Sequence, residues 1–190
     1  MISKITICNL ALAQLGQAPI SSLRQEDEKA RRLNLFYEPV RDEVLRTHNW
    51  GFATVREPLA LVERQENCFL YKYPLEALFI RRVYQEPYRH TPFRELFHPK
   101  YRIRVVESDC PQARAEYTRR VEDETQFDAA FVKSFSLALA ADLAVSLTGD
   151  NALAAQILQK YTLSLDEARR SNMTENFAQS GQTDAFTEVR

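Results

Sequence analysis

The residue types that could do chemistry are few in this chain, and their spacing is poor for it. Three histidines, His48, His90 and His98, never fall one helical turn apart, and none stands beside a glutamate in zinc-protease order, so no metal site is expected. Three cysteines, Cys8, Cys68 and Cys110, are odd in number and far apart, which suits reduced thiols rather than a disulfide framework or a zinc knuckle. His98 and Cys110 flank a predicted strand and could meet as base and nucleophile. A lone cysteine more often packs as a small apolar group, however, and nothing else marks an activated thiol. No serine sits in a strand-turn-helix elbow, and four glycines, Gly16, Gly51, Gly149 and Gly181, are too dispersed to cradle a phosphate. The acidic run Glu122, Asp123, Glu124 immediately precedes a helical stretch, where negative charge favours the helix N-terminus, and this explains it better than an acid–base pair. The expectation is a chain with no catalytic residue, no metal and no cofactor.

One stretch does stand out. Residues 78–104 hold Arg81, Arg82, Arg89, Arg94, Lys100, Arg102 and Arg104 against Glu86 and Glu95, interleaved with Phe79, Tyr84, Tyr88, Phe93, Phe97 and Tyr101. Basic and aromatic residues mixed in this way suit single-stranded nucleic acid, through stacking and phosphate neutralisation, or the centre of a protein interface, where tyrosine and arginine are favoured. A solvated sheet face is the plainest alternative. Strand alternation favours it in part, since it sets Arg102 and Arg104 on one face and Ile103 and Val105 on the core side.

The elements that must position these residues follow from periodicity and punctuation. Ser3 is a good N-cap, Ile5, Cys8, Leu12 and Leu15 follow at helical spacing, and Gly16 supplies the left-handed stop. Residues 17–25, with Pro19, Ser21 and Ser22 between Ile20 and Leu23, read as an ordered loop. A long second helix over 26–47 carries Ala30, Leu33, Val40, Val44 and Leu45 on one stripe, with Pro39 expected to kink it. Trp50, Gly51 and Phe52 form an aromatic corner. Residues 69–120, rich in prolines, tyrosines and short β-branched runs, predict an antiparallel sheet of three to five strands. Helical periodicity returns with Phe131, Phe135, Leu139, Leu143 and Leu147, an alanine-rich core helix ending at Gly149, followed by a fourth helix to about Ser171. Residues 172–190 are polar, with isolated Phe177, Phe186 and Val189, and read as an arm ordered by a partner.

The fold class expected is α+β and helix-dominated: a four-helix bundle with a small antiparallel β-sheet inserted between helices 2 and 3, plus an extended C-terminal arm. The domain comprises residues 1–171, with helices in 1–53 and 128–171, the sheet at about 69–120 and the arm at 172–190. The composition, 45% apolar and 27% charged with a net charge of −1, is that of a water-soluble globular chain and gives no whole-chain signal for nucleic acid or an acidic membrane. The first residues lack a secretory signal and no apolar run of about 18 residues is free of charge, so a chain made and used inside a cell, without a membrane, is expected.

The run Ile7-Cys8-Asn9-Leu10-Ala11-Leu12-Ala13-Gln14-Leu15-Gly16, then Pro19-Ile20-Ser21-Ser22-Leu23, Ala30, Tyr37, Val40-Arg41-Asp42, Leu45 and Trp50-Gly51-Phe52-Ala53, resembles the tail tubular protein A family of tailed phages. The second half agrees in style through Phe127-Asp128, Leu139-Ala140-Ala141-Asp142-Leu143-Ala144, Leu147-Thr148-Gly149 and Ala168-Arg169. The resemblance implies a head-to-tail connector or adaptor, a virion structural protein of the neck that assembles in the host cytoplasm. It implies a homododecamer ring between the portal protein and the tail nozzle protein, around the channel through which DNA passes at ejection without sequence-specific binding. Two contact surfaces are expected on that basis: the arm, through Phe177, Phe186 and Val189, on the portal or a neighbouring subunit; and the basic sheet, through Arg81, Arg82, Arg94, Arg102 and Arg104, on the nozzle or a neighbour. The rival expectation is a single-stranded nucleic-acid-binding module using the basic aromatic sheet.

Overall fold

The computed structural model describes residues 2–85 and 89–179. Its elements are α1 (Lys4–Gln14), α2 (Glu28–Thr47), a 3-10 turn at Gly51–Ala53, β1 (Thr54–Pro58), β2 (Leu61–Arg64), β3 (Phe69–Lys72), β4 (Ala77–Gln85), β5 (Arg89–Thr91), β6 (Phe93–His98), β7 (Ile103–Ser108), β8 (Arg114–Arg119), α3 (Ala129–Thr148) and α4 (Asn151–Gln179). They gather into two compact units, Met1–Val44 with Phe127–Arg190, and Leu45–Gln126.

The helical unit is set by its caps. Ser3 accepts from the Thr6 amide at 3.2 Å to start α1. Gly16, at φ +65°, ends it in a Schellman turn, with Gly16 N bonded to Ala13 O at 3.1 Å and Gln17 N to Leu12 O at 3.0 Å. Asn9 then clamps the following loop: its side chain accepts from Ile20 N at 2.9 Å and donates to Ile20 O at 3.0 Å. Asp27 caps α2 through the Ala30 amide at 2.7 Å, and the helix runs through Pro39 without a break. Asp128 caps α3 through Phe131 N at 2.6 Å, and Gly149 at φ +69° closes it. Because α3 is the hub, it is apolar on most of its circumference, with Phe131, Phe135, Leu139 and Leu143 wholly buried. Phe127, Phe131 and Phe135 form a ladder of rings along it, and Tyr37 of α2 meets Phe135 edge-on at 4.9 Å. α4 lies along α3 after a two-residue turn, tied by Ser134–Ser164 at 3.0 Å and Lys133–Glu167 at 2.7 Å. It continues to Gln179, past the end near Ser171 that its periodicity suggests.

The second unit overturns the expected fold class. It is not a small sheet of three to five strands set into a four-helix bundle: eight strands from Thr54 to Arg119 form two four-stranded antiparallel sheets, ordered β1-β8-β4-β5 and β2-β3-β7-β6. The two share one apolar core, with Ala77, Ile80, Val83, Ala115 and Tyr117 from the first sheet and Tyr71 and Val106 from the second. Consecutive strands are halves of bent ribbons that leave one sheet and enter the other: β1 to β2, β3 to β4, β5 to β6 and β7 to β8. Each change of sheet comes at a proline, at Pro58, Pro74, Pro92 and Pro111, where a residue without an amide proton interrupts no ladder bond. Tyr71 fixes one corner, its hydroxyl donating to Cys110 O at 2.6 Å and accepting from Ala113 N at 3.3 Å. Ser108 joins two, donating to Pro92 O at 3.1 Å and accepting from Cys110 N at 3.3 Å. The aromatic and β-branched runs that read as strands from the sequence, 78–84, 101–106 and 113–119, fall largely in β4, β7 and β8. β1 and β2 lie before the expected start at residue 69, because TVREP and LVER show no clean alternation.

Candidate interaction surface

The expected basic patch is divided by the fold. Arg81 and Arg82 stand on β4 in the first sheet, whereas Arg94 on β6 and Arg104 on β7 belong to the second, and Arg102 sits in the β6–β7 turn at φ +53°. The expected pairing of Arg102 with Arg104 on one strand face is therefore not realised. Nor do Ile103 and Val105 mark the core side alone: Val105 and Val106 are both buried, and it is Val106, in phase with Arg104, that enters the shared core. Arg104 lies 3.8 Å over the Tyr73 ring and pairs with Glu95 at 2.8 Å, so its charge is locally matched.

The first sheet carries the denser cluster, built by register. Its outer face shows three cross-strand rows: Thr54, Thr118 and Phe79; Arg56, Glu116 and Arg82; and Pro58, Arg114, Tyr84 and His90. A bulge between Ile80 and Arg82 decides the placement of the two consecutive arginines. In a regular strand Arg81 and Arg82 would point to opposite faces; here both reach across to β8. Arg81 Nε donates to Thr118 Oγ1 at 2.8 Å and its Nη2 to the His48 carbonyl, while Arg82 Nε meets Glu116 Oε1 at 3.1 Å. From the other side Arg56 Nε reaches Glu116 Oε2 at 2.7 Å.

Glu116 organises this face. Its side chain is 3% exposed between arginines that are 63% and 47% exposed, so one buried carboxylate accepts a hydrogen bond from Arg56 on Oε2 and faces Arg82 as an ion pair on Oε1, which has no hydrogen-bond partner among the described residues. Arg81 is pushed below the usual guanidinium range by burial, which Glu116 opposes and Arg82 reinforces. Phe79, at the end of the same face, has the Arg46 and Arg81 guanidiniums each 5.7 Å from its ring centre. Among the described residues, Arg56, Arg82 and Arg114 thus share these rows with one acid, while Arg81 reaches Thr118 from the bulge and Arg46 lies over Phe79 at the end of the face.

Sequence reasoning found Arg81 and Arg82 and missed Arg46, Arg56, Arg114 and Glu116. Part of the signal was readable, since Arg114, Glu116 and Thr118 alternate with Ala113, Ala115 and Tyr117 in the pattern of a strand with one core face. The cysteine–histidine possibility is not realised. His98 pairs in register with Ile103, whereas Cys110 follows Ser108, which pairs with Phe93 at the far end of the same hairpin, about 17 Å along the strands. Among the described residues no group of three His, Cys, Asp or Glu side chains is placed to hold a metal ion. Phe177 falls in α4 but its side chain lies outside the described residues, as do Phe186 and Val189 altogether. Comparison with protein-family models and with curated proteins finds no match to this chain.

Proposed function

We propose that this chain is a structural head-to-tail adaptor of a tailed phage, one subunit of a dodecameric ring between portal and tail nozzle around the DNA channel. In this reading it carries no catalytic group and no cofactor, is assembled in the host cytoplasm and resides in the virion neck. The resemblance to the tail tubular protein A family carries the reading, and the positions of its residues give that resemblance architectural content. Asn9 clamps Ile20, Gly16 takes the left-handed turn, Tyr37 packs on Phe135, and Gly149 closes α3. A motif made of clamps, turns and core contacts speaks for a shared scaffold rather than a shared reaction.

A second support is α4. At 29 residues against 20 for α3, and antiparallel to it as Lys133–Glu167 requires, it overshoots α3 by about 14 Å. Residues 172–190, whose first part is this overshooting end of α4, form the proposed docking segment on the portal or a neighbouring subunit, with Phe177, Phe186 and Val189 as anchors. The second-sheet arginines Arg94, Arg102 and Arg104 remain the proposed contacts to nozzle or neighbour.

Light scattering behind gel filtration, with negative-stain imaging of the same peak, tests the reading with and without purified portal. A closed ring in either condition is the expected result, and deletion of residues 172–190 is expected to abolish attachment to the portal. A chain that stays monomeric in the presence of portal refutes the adaptor reading.

A further inference from the structure

We infer that the outer face of the first sheet is a sequence-independent binding surface for the phosphate backbone of duplex DNA. Arg56, Arg82 and Arg114 lie in its rows, with Arg81 and Arg46 at the Phe79 end, and arginine presents the planar, multidentate donor set that matches phosphate oxygens. The buried Glu116 is hydrogen-bonded to Arg56 Nε and ion-paired with Arg82 at 3.1 Å, so two half-exposed guanidiniums are drawn to one side of the sheet before any ligand arrives. Their placement together with Arg81 depends on the bulge between Ile80 and Arg82, a local irregularity whose effect is to bring a third arginine to the same side.

Two features select duplex over the other polyanionic partners. A protein interface sets arginine beside apolar and aromatic anchors at its centre, yet the central row here is Arg56, Glu116 and Arg82 with no apolar side chain. Single strands bind along several exposed aromatic platforms in succession, yet of the two aromatic residues in the rows of this face Tyr84 is buried and Phe79 alone is exposed, at 38%. What the face offers is charge at fixed spacing, which is what backbone contact needs and base reading does not. The chain's overall charge of −1 makes the concentration local rather than a general basicity. The inference is independent of ring assembly, since a monomer presents the same face.

Fluorescence anisotropy of a labelled mixed-sequence duplex, titrated with the full chain, tests it. Neutralising about four phosphates predicts a log–log salt slope near −3.6, a loss of affinity of about a hundredfold between 50 and 200 mM salt. The triple variant Arg56→Gln, Glu116→Gln, Arg82→Gln removes both guanidiniums without stranding the buried carboxylate. It is expected to weaken binding at least tenfold and to flatten the slope by about two. Arg94→Gln with Arg104→Gln, on the second sheet, is expected to change affinity less than threefold. No duplex binding at 50 mM salt, an unaffected triple variant, an equal loss from the second-sheet pair, or tighter binding to a single strand of the same length would each overturn the inference.

Discussion

Glu116 allows a prediction in which the larger cost comes from the less buried side of an ion pair. Replacing Glu116 with glutamine keeps its shape and leaves Arg56 and Arg82, at 63% and 47% exposure, free to turn their charge to water. Only one charge-assisted hydrogen bond, from Arg56, and one screened ion pair, with Arg82, are lost, about 1–2 kcal/mol together. Replacing Arg56 and Arg82 with methionine keeps most of the aliphatic packing but strands a carboxylate that is 3% exposed, and the expected loss is about 3–5 kcal/mol, less whatever Arg81 recovers from its own attraction to Glu116. Adding Glu116→Gln to that double variant should then restore about 2 kcal/mol, because a third mutation removes the charge the first two left unmatched. Urea unfolding followed by tryptophan fluorescence reads the right unit, since Trp50 is the only tryptophan and falls in Leu45–Gln126 with all three residues. A triple variant no more stable than the double, or a Glu116→Gln loss exceeding that of the double, would refute the reasoning.

Other outcomes follow from the same contacts. Asn9→Ala removes both bonds to the Ile20 backbone and leaves a buried peptide group unmatched, an expected cost of about 2 kcal/mol in thermal or urea unfolding of the helical unit. Gly16→Ala forces a side chain into φ +65°, although nothing lies within 4 Å of the added carbon; about 1 kcal/mol is expected, with Gly16→Asn costing less. Burial, then the hydrogen bond to Glu57 at 2.8 Å, pushes the Tyr117 hydroxyl well above the usual phenol range. A raised value means stability is complete below about pH 10 and is lost as the pH climbs further. Tyr117→Phe should therefore cost about 1 kcal/mol at neutral pH and make the alkaline fall in melting temperature shallower; an unchanged alkaline limb would show that the hydroxyl does not govern it.

The helices were legible because their ends are local. A capping side chain, a glycine beyond the last turn and a stripe three or four residues apart all sit within a single element, as Ser3, Gly16, Asp128 and Gly149 do. The sheets were not, because antiparallel pairing joins residues far apart in the chain: Arg56 meets Glu116 across sixty positions, and no window of sequence contains both. Burial on both faces also defeats alternation: Val105 and Val106 are successive residues within β7 on opposite faces of the sheet, and both are buried. The prolines at 58, 74, 92 and 111 were the readable clue to the two-sheet plan. Each marks a change of sheet, although Pro87 and Pro99 lie in the same stretch and only the pairing of the strands sets the four apart from them.

The site was less legible than the fold for a related reason. Composition found a basic stretch in residues 78–104 and treated it as one surface, but a stretch that bends at Pro92 serves two sheets, and its arginines separate with it. What replaces that surface is assembled from α2, β1, β4 and β8, with one buried acid at its centre. Glu116 in the sequence looks like one more charge on a polar strand face; only register shows that it stands between two arginines, and only burial shows that it must. Its two partners are then constrained by stability as well as by any ligand. Loss of either should therefore be measured first as a change in folding, and only the charge-balanced triple variant separates what the arginines do for the sheet from what they do for a phosphate.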